Sequence, residues 1–235
     1  MIGMKEQLLQ SYPFRIELHA HTNPVSGCSE LPPDELIRRC RDVGANGVVV
    51  TNHALPDDHN IPCHTWVDRY LADYHRTQEA GEQMGIKVYL GLEMRFPGSY
   101  NDYLVYGADE AFVETAWEYL ATDLHTFYTA CKADNRLIVQ AHPFRDGLTR
   151  ADAADLDGIE VFNMHPGHNS RVTLAAKLQQ TVGSVVTGGT DLHHRGHEGQ
   201  LLTYFRELPE DSFALAKALK AGDYIFAAGN AVILP

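Results

Sequence analysis

The chain has 235 residues, of which 44% are hydrophobic, and this is enough apolar material to bury a sizeable core. Its formal net charge of −12 argues against stable binding to nucleic acid, because that affinity comes largely from lysine and arginine neutralising phosphates. No apolar run reaches the roughly 18 residues that span a bilayer, and the first residues lack the basic start and apolar centre of a signal peptide. We therefore expect a single domain over residues 1–235, a cytoplasmic location and a small substrate, with the oligomeric state left open.

Short apolar runs alternate with amphipathic stretches of helical period along the chain. This alternation is typical of βαβ units, whose parallel strands are buried on both faces. The predicted strands are Phe14–Leu18, Gly47–Thr51, Val88–Leu92, Tyr103–Tyr106, Leu137–Gln140, Gly158–Phe162 and Ser184–Thr187.

Helices are predicted between these strands. One begins with the acidic, proline-led first turn at Pro32 and stops at Gly44. Thr65 and Asp68 resemble a capping box at the start of a long helix that runs to Met84. The other predicted elements are helices Glu110–Leu120, His125–Ala133, Ser170–Gln180 and Asp211–Ala221, and a strand near Leu201–Phe205. The pattern predicts an α/β fold built as a parallel β/α barrel.

Imidazoles and carboxylates collect where the predicted strands end. In parallel barrels the loops at the carboxyl ends of the strands converge on one cavity. Six of the seven predicted strands are followed by such side chains, which are His19, His21, His53, Glu93, His142, His165, Asp191 and His193. Because imidazole is the commonest transition-metal ligand, the sequence predicts a metal site at this end of the barrel.

Two of these strand ends repeat the same local geometry. Alternate strand residues point the same way, so His19 and His21 can direct two nitrogens at one ion, and Asp191 and His193 can do the same. A lone His-x-His step is more often a pair of surface histidines, but two such steps after two strands favour a shared site. Nitrogen and carboxylate ligands suit zinc, manganese or iron.

The four cysteines, in contrast, form no Cys-x-x-Cys pair. This spacing suggests neither a disulfide framework nor a thiolate zinc site.

Five short motifs, in this order, give the chain a resemblance to the polymerase and histidinol phosphatase (PHP) family of metal-dependent phosphoesterases. They are His19-Ala20-His21-Thr22, Thr51-Asn52-His53, Gly91-Leu92-Glu93, Ala141-His142-Pro143 and Gly189-Thr190-Asp191-Leu192-His193. The resemblance covers nearly the whole chain. It implies a distorted, seven-stranded TIM-like β/α barrel with two or three divalent metal ions, and chemistry like that of histidinol phosphatases.

The resemblance also implies a set of metal ligands. These are His19, His21, His53, Glu93, His142, Asp191 and His193. Two positions depart from the family pattern. Ser26-Gly27-Cys28-Ser29 offers neither the aspartate nor the histidine that often follows the first motif, and Cys28 is a soft substitute at best. Asp102 stands where a histidine is usual and could bind through oxygen, so a third ion is left open.

The expected reaction is hydrolysis of a phosphomonoester or phosphodiester of a small metabolite or nucleotide. Paired ions would lower the pKa of a bridging water toward neutrality, so that hydroxide attacks. His53, His193 and Asp191 are the candidate catalytic residues, with His165 a further candidate for the general acid. The candidate substrate contacts, in loops after strands, are Arg95, Arg145, His165, His168, Arg171 and Arg195.

Two other functions stay open. A hydrolase of the amidohydrolase type also places His-x-His after its first strand, but it usually adds a bridging lysine, and no lysine here follows a predicted strand end. The second is a barrel that binds metal without catalysis. The sequence does not choose among histidinol phosphate, other sugar or alcohol phosphates, nucleotides and phosphotyrosine peptides.

Overall fold

The structure is a computed structural model that describes residues 3–182 and 185–235. Within these residues it contains seven α-helices: α1 Met4–Ser11, α2 Pro33–Asp42, α3 Cys63–Met84, α4 Glu110–Tyr119, α5 Leu124–Cys131, α6 Val172–Val182 and α7 Ser212–Ala221. The strands of the same residues are β1 Phe14–Ala20, β2 Gly47–Val50, β3 His53–Ala54, β4 Lys87–Leu90, β5 Leu92–Arg95, β6 Asp102–Tyr106, β7 Leu137–Gln140, β8 Gly158–Asn163, β9 Val185–Gly189, β10 Leu202–Phe205, β11 Tyr224–Ala228 and β12 Ala231–Ile233.

The strands form two six-stranded sheets in a mixed α/β fold. One sheet has the order β12-β11-β10-β1-β2-β4, and the other has the order β3-β5-β6-β7-β8-β9. The pairs β1–β2, β2–β4, β3–β5, β7–β8 and β8–β9 are parallel. Strand β6 runs antiparallel to both of its neighbours, and β10 runs antiparallel to β1. The prediction of an all-parallel sheet is therefore wrong at β6, because the link from β5 to β6 is too short for a crossover connection.

The two sheets adjoin at two places. Residues Thr51 and Asn52 separate β2 from β3, and Gly91 alone separates β4 from β5, so two stretches of chain pass from one sheet into the other. At the second place, an isolated parallel bridge joins Ala20, at the end of β1, to Leu192. The strand pairing therefore forms two sheets. The closed seven-stranded barrel and the single domain over residues 1–235 stay predictions.

The core fills the space between the sheets and the helices. The larger apolar cluster includes Trp66 and Tyr70 of α3 and Phe127 of α5, all buried. A smaller cluster packs Leu36 and Ile37 of α2 beside β2. Asp109, Asp123 and Asp211 cap the helices α4, α5 and α7 by accepting backbone N–H bonds, which satisfies donors that the first turn leaves free.

Every predicted helix and strand has a counterpart in the described residues, with ends that differ by a few positions. The seventh predicted strand begins at Ser184, which lies outside the described residues, and β9 begins at Val185. The capping box predicted at Thr65 and Asp68 is wrong: α3 begins at Cys63, and its N-cap residue Pro62 has no side chain that accepts a hydrogen bond. Helix α1 was not predicted, because none of its residues is buried and no apolar face marks it in the sequence.

None of the helices in the described residues combines the length and the apolar character that crossing a membrane requires.

Gly189, at the end of β9, lets this strand approach β1 closely. A Cβ atom there would lie 2.6 Å from the Cβ of His19 and 3.0 Å from Oε1 of Glu17. We expect Gly189→Ala to lower the free energy of unfolding by about 1–3 kcal/mol, the usual cost of overpacking. Gly27→Ala is the control, because a Cβ at Gly27 meets nothing within 4 Å. Urea unfolding measures both variants, and equal stabilities would contradict the close approach.

Candidate metal centre

The strand ends bring seven of the predicted ligands to one rim of the fold. His19 lies near the end of β1, and His21 directly follows that strand. His53 is the first residue of β3, and Glu93 lies in β5. The remaining three, His142, Asp191 and His193, follow β7 and β9.

Asp102 reaches the same rim by a different route. It opens β6, whose antiparallel direction brings its first residue, and not its last, to the edge where the parallel strands end. Asp102 is paired in register with Arg95, two residues beyond Glu93 on β5. The direction of β6 therefore places Asp102, the eighth predicted ligand, beside the other seven.

The carboxylate of Glu93 lies at the centre of the cluster and is shared by four imidazoles. Its Oε1 is 3.3 Å from Nε2 of His19 and 3.1 Å from Nε2 of His142. Its Oε2 is 3.3 Å from Nε2 of His21 and 3.1 Å from Nδ1 of His53. Glu93 can therefore bridge adjacent cations.

Asp191 provides a second shared carboxylate. Its Oδ1 lies 3.4 Å from Nε2 of both His19 and His21 and 3.1 Å from Nδ1 of His193. Asp191 and Glu93 are both 1% exposed, so two carboxylates are buried side by side with the same imidazoles.

These contacts define three overlapping groups of side chains whose ligand atoms lie within 4.8 Å of one another. The groups are His19, His21, Glu93 and Asp191; then Glu93, Asp102 and His142; and finally His21, His53 and His193. We name them the first, second and third groups in this order.

Several polar atoms of this cluster are buried without a hydrogen-bond partner. They are His19 Nε2, His21 Nε2, His53 Nδ1, Glu93 Oε2 and Asp191 Oδ1. Buried polar groups are almost always paired, so five unpaired atoms in one place need another partner. A divalent cation fits this donor set of nitrogen and carboxylate oxygen.

The neighbours of His19 and His21 fix which ring nitrogen faces the cluster. Nδ1 of His19 is 2.8 Å from Oε1 of Glu160, which can only accept when ionised, so Nδ1 carries a proton and Nε2 is directed at the cluster. Nδ1 of His21 is 3.2 Å from Oγ of Ser26, and that hydroxyl donates to Asn52. Both imidazoles therefore direct Nε2 at the first group, where a bound cation would take its lone pair.

The two shared carboxylates, Glu93 and Asp191, are ionised in spite of their burial. Burial opposes the charged form of Glu93, but His19 and His53 outweigh it and hold the pKa of Glu93 well below its usual range. Burial likewise opposes ionisation of Asp191, but His19, His193 and other neighbours outweigh it, and the pKa of Asp191 is well below its usual range. Both carboxylates are therefore anions that a cation can neutralise.

The backbone is strained at two of the candidate ligands. His142 has φ of 28° and Asp191 has φ of 55°, in the left-handed region that residues other than glycine seldom adopt. Such conformations persist where the surrounding structure determines them, and they concentrate at functional sites.

Two adjoining cavities of about 250 and 510 Å³ open onto this rim. Arg95 and Arg145 line both. Arg95 donates to both oxygens of Asp102 at 2.8 and 2.9 Å. Arg145 donates to Oδ2 of Asp191 and, at 2.9 Å, to Oδ1 of Asn163, while its Nε is buried without a partner. The structure thus brings two of the four predicted arginines to the cavities.

The other two arginines anchor loops. Arg171 donates to the carbonyl of Phe144 and to Asp146, both at 2.5 Å, and Arg195 pairs with Glu35 at 2.5 Å. Neither is among the residues that line the two cavities. Their predicted substrate contact gains no support from the geometry, because their guanidinium groups already bind acceptors elsewhere.

His165 and His168 line the smaller cavity as predicted, together with His194. Nδ1 of His165 accepts the backbone N–H of Gly167 at 3.0 Å. Burial lowers the pKa of His165 to about 4, so its imidazole is neutral near pH 7. His165 can donate a hydrogen bond through Nε2, but near pH 7 it lacks the second, acidic proton of an imidazolium, which argues against it as the general acid.

Sequence reasoning missed Glu160. Besides holding His19, this buried residue of β8 accepts the backbone N–H of His142 at 3.0 Å and the side-chain amide of Asn163 at 2.9 Å. The signal was present, since Glu160 is a carboxylate within an otherwise apolar strand.

Cys28 also lines the smaller cavity. Burial would raise the pKa of its thiol, but hydrogen bonds with His193 and His53 outweigh burial and lower that pKa to about 6.

No family model matches the sequence, and no curated protein matches it significantly. Solved structures do match. A two-domain protein from Bacteroides vulgatus that contains a predicted PHP-like metal-dependent phosphoesterase superposes with a TM-score of 0.67 at 15% identity, over 94% of this chain and 67% of that one. A candidate metal-dependent phosphoesterase from Bifidobacterium adolescentis gives a TM-score of 0.51 at 15% identity, over 87% of this chain and 95% of that one. The fold is PHP-like. The resemblance that the motifs predict is thus confirmed at the level of the fold.

The PHP-like fold is shared more widely. An amidohydrolase from Chromobacterium violaceum, solved with bound sulfate and no metal, gives a TM-score of 0.55 at 15% identity, over 78% of this chain and 89% of that one. The fold alone therefore does not separate ester from amide hydrolysis, and the side chains of the site must do so.

Replacing Glu160 tests how the cluster is oriented. We expect Glu160→Gln to weaken binding of zinc about 10- to 100-fold, because an amide no longer fixes the proton on Nδ1 of His19. Glu17→Gln is a matched control, since Glu17 is also a buried strand carboxylate but accepts the backbone N–H groups of His19 and Thr190 in place of a ring N–H. Titration calorimetry gives both affinities, with circular dichroism to verify folding. Equal affinities in the two folded variants would remove the orienting role of Glu160.

Proposed function

We propose that this protein is a metal-dependent hydrolase that cleaves a phosphate ester of a small molecule. The observation that carries the proposal is the buried carboxylate of Glu93, shared by four imidazoles and set beside Asp191, with five polar atoms that lack partners. Nothing in a purely structural role accounts for so many unpaired ligand atoms at one point.

The residues fit two ions with Glu93 between them. His19, His21, Glu93 and Asp191 would hold one, and Glu93, Asp102 and His142 would hold the other. Bound divalent ions lower the pKa of water toward neutrality and offset negative charge on a phosphoryl group. Zinc, manganese and iron all accept such ligands, and a third ion would be bound by the third group.

The arginines of the cavity would bind the phosphate. Arg145 lies against Asp191 with its Nε unpaired, so it can direct a planar pair of N–H donors at phosphoryl oxygens beside the cluster. The formal net charge of −12 would not prevent binding of an anionic substrate. Solvent ions screen distant surface charges, so the nearby cations and guanidinium groups would dominate the potential at the site.

When only two ions are bound, the proton for the leaving group would come from His53 or His193. Both line the smaller cavity and lie at the edge of the cluster that faces solvent. Asp191 would hold His193 in place, since Nδ1 of His193 is 3.1 Å from its Oδ1. A small phosphorylated metabolite or a nucleotide fits the combined cavities, whose size is ordinary for small-molecule sites.

Amide hydrolysis is the second candidate function, because an amidohydrolase shares the fold. Its usual bridging lysine has no counterpart here: no lysine is among the described residues that line the two cavities. Two arginines in its place favour an anionic substrate. A barrel that binds metal without catalysis would not need either arginine in the cavities.

Two variants of the first group test the proposal. His19→Ala and Asp191→Asn should each lower kcat/KM for p-nitrophenyl phosphate more than about 100-fold. Replacing a residue that only hydrogen-bonds to a metal ligand typically costs about 10- to 100-fold, and replacing the ligand itself should cost more. His75→Ala is the matched control, since this exposed imidazole pairs with Glu110 on the surface, away from the cluster. Turnover is measured with zinc, manganese and iron added separately.

The assay includes a cyclic amide as a second substrate. Turnover of the amide without any ester would replace the proposal by amide hydrolysis. Full ester turnover by both folded variants would remove these residues from the site.

A further inference from the structure

Asp73 is a buried carboxylate that belongs to none of the three groups of candidate ligands. It lies in helix α3, is fully buried, and shares its face of the helix with Tyr70 and Tyr74. Its Oδ1 has no hydrogen-bond partner in the described part of the chain and lies 3.5 Å from the exposed guanidinium of Arg76. A buried carboxylate is costly unless it is paired, so the contacts of its second oxygen need an explanation beyond packing.

The second oxygen, Oδ2, accepts hydrogen bonds from two residues that adjoin candidate ligands. One donor is the hydroxyl of Thr22, the residue after His21. The other is Nδ2 of Asn52, at 3.0 Å, and this residue directly precedes His53. Burial raises the pKa of Asp73, and the hydrogen bonds from Thr22 and Asn52 act against that rise. The carboxylate therefore connects the core helix to two of the segments that carry ligands.

The neighbours of Asn52 allow its side-chain amide a single orientation. A backbone N–H can only donate, and that of Thr22 lies 2.8 Å from Oδ1 of Asn52. A carboxylate can only accept, and that of Asp73 lies beside Nδ2. Exchanging the amide oxygen and nitrogen would set donor against donor at Thr22 and acceptor against acceptor at Asp73.

This orientation determines where the protons of Ser26 and His21 lie. Oγ of Ser26 accepts the backbone N–H of His53 at 2.9 Å. The same Oγ is 2.9 Å from Oδ1 of Asn52, which cannot donate, so the hydroxyl proton is directed at Asn52. Nδ1 of His21 lies 3.2 Å from Oγ and must therefore donate to it, because the hydroxyl has no second proton. With its proton on Nδ1, a neutral His21 offers Nε2 to a cation.

We propose that Asp73 is a positioning residue of the metal centre, which acts through Asn52 and Ser26 to hold the ring proton of His21 on Nδ1. The carboxylate touches neither a bound ion nor a substrate. It fixes the amide, the amide fixes the hydroxyl, and the hydroxyl fixes the ring. The inference rests on the metal centre of the proposed function and adds to it a support that begins in the core.

Exchanging the two side chains tests the inference. Asn52→Asp would bring two buried carboxylates within hydrogen-bond distance, because Nδ2 of Asn52 is 3.0 Å from Oδ2 of Asp73. Adding Asp73→Asn to this variant would restore one donor and one acceptor between them, in the reverse order. Asp73→Leu removes the acceptor, whereas Asp73→Asn alone retains an acceptor oxygen.

Asn46→Asp is the matched control. Oδ1 of Asn46 accepts the backbone N–H of Arg15 at 2.9 Å, and a carboxylate can do the same. Asn46 directly precedes β2, at the end of that strand opposite to the cluster.

Two measurements follow each variant, and circular dichroism verifies folding. Zinc affinity is obtained by competition with a chromogenic chelator. The exchange of the ring N–H of His21 with water is obtained by 15N NMR of the zinc-loaded protein, with the signal assigned by its loss in His21→Gln. Exchange of this proton reports on its hydrogen bond to Ser26, which a change in global stability alone would not single out among the histidines.

We expect Asn52→Asp and Asp73→Leu each to weaken zinc binding about tenfold or more, as loss of support for a metal ligand does, and to speed exchange of the ring proton to a similar extent. Asp73→Asn, Asn46→Asp and the double variant Asn52→Asp/Asp73→Asn should bind zinc with nearly the wild-type affinity and keep the proton protected. The same change at Asp73 would thus be neutral beside Asn52 and restorative beside an aspartate, which is the signature of a direct contact.

Two outcomes would overturn the inference. One is wild-type affinity and proton exchange in folded Asn52→Asp or in folded Asp73→Leu. The other is failure of the folded double variant to recover what Asn52→Asp loses.

The failure of this inference differs from the failure of the proposed function. If the double variant recovers zinc affinity but no phosphate ester is hydrolysed by the wild type, the role of Asp73 stands and the proposed function fails. If phosphate esters are hydrolysed and Asn52→Asp binds zinc as the wild type does, the proposed function stands and Asp73 does not position His21.

Discussion

The arrangement of this site follows from the burial of two carboxylates, Glu93 and Asp191, among imidazoles. A buried anion is costly unless it is paired, and a buried pair that leaves ligand atoms free is costly as well. Here five such atoms lack hydrogen-bond partners. A divalent cation satisfies both requirements at once, because it neutralises the carboxylates and accepts the lone pairs of the nitrogens.

The fold brings these groups together through the ends of strands that are far apart in sequence. β1 contributes adjacent ligands through the period of two in a strand, while β3 and β5 continue strands of the other sheet past short interruptions. The antiparallel β6 adds Asp102 from its first residue. Behind the ligands, Glu160 and Ser26 orient the imidazoles of His19 and His21. The site is thus supported by rigid strands, which also provide Arg95, while the loop after β7 provides Arg145.

The sequence predicted most of the cluster because strand ends can be recognised from apolar runs, and because alternation then determines which side chains point together. It did not predict Glu160: a carboxylate inside a buried strand indicates that a polar partner exists, but the sequence does not say that the partner is His19. Arg171 and Arg195 also follow strands, but their loops turn them toward other acceptors, and spacing does not encode that direction.

The antiparallel direction of β6 was predicted wrongly for a different reason. The connection between Arg95 and Asp102 is too short for a crossover, so the antiparallel pairing was implied by loop length, and the alternating pattern concealed it.

A crystal structure of the zinc-loaded protein, with anomalous data on both sides of the zinc absorption edge, tests the central claim most directly. The account predicts one anomalous peak among His19, His21, Glu93 and Asp191 and another beside Asp102 and His142. Zinc-soaked crystals with no peak within the cluster, and with these side chains still in direct contact, would contradict it.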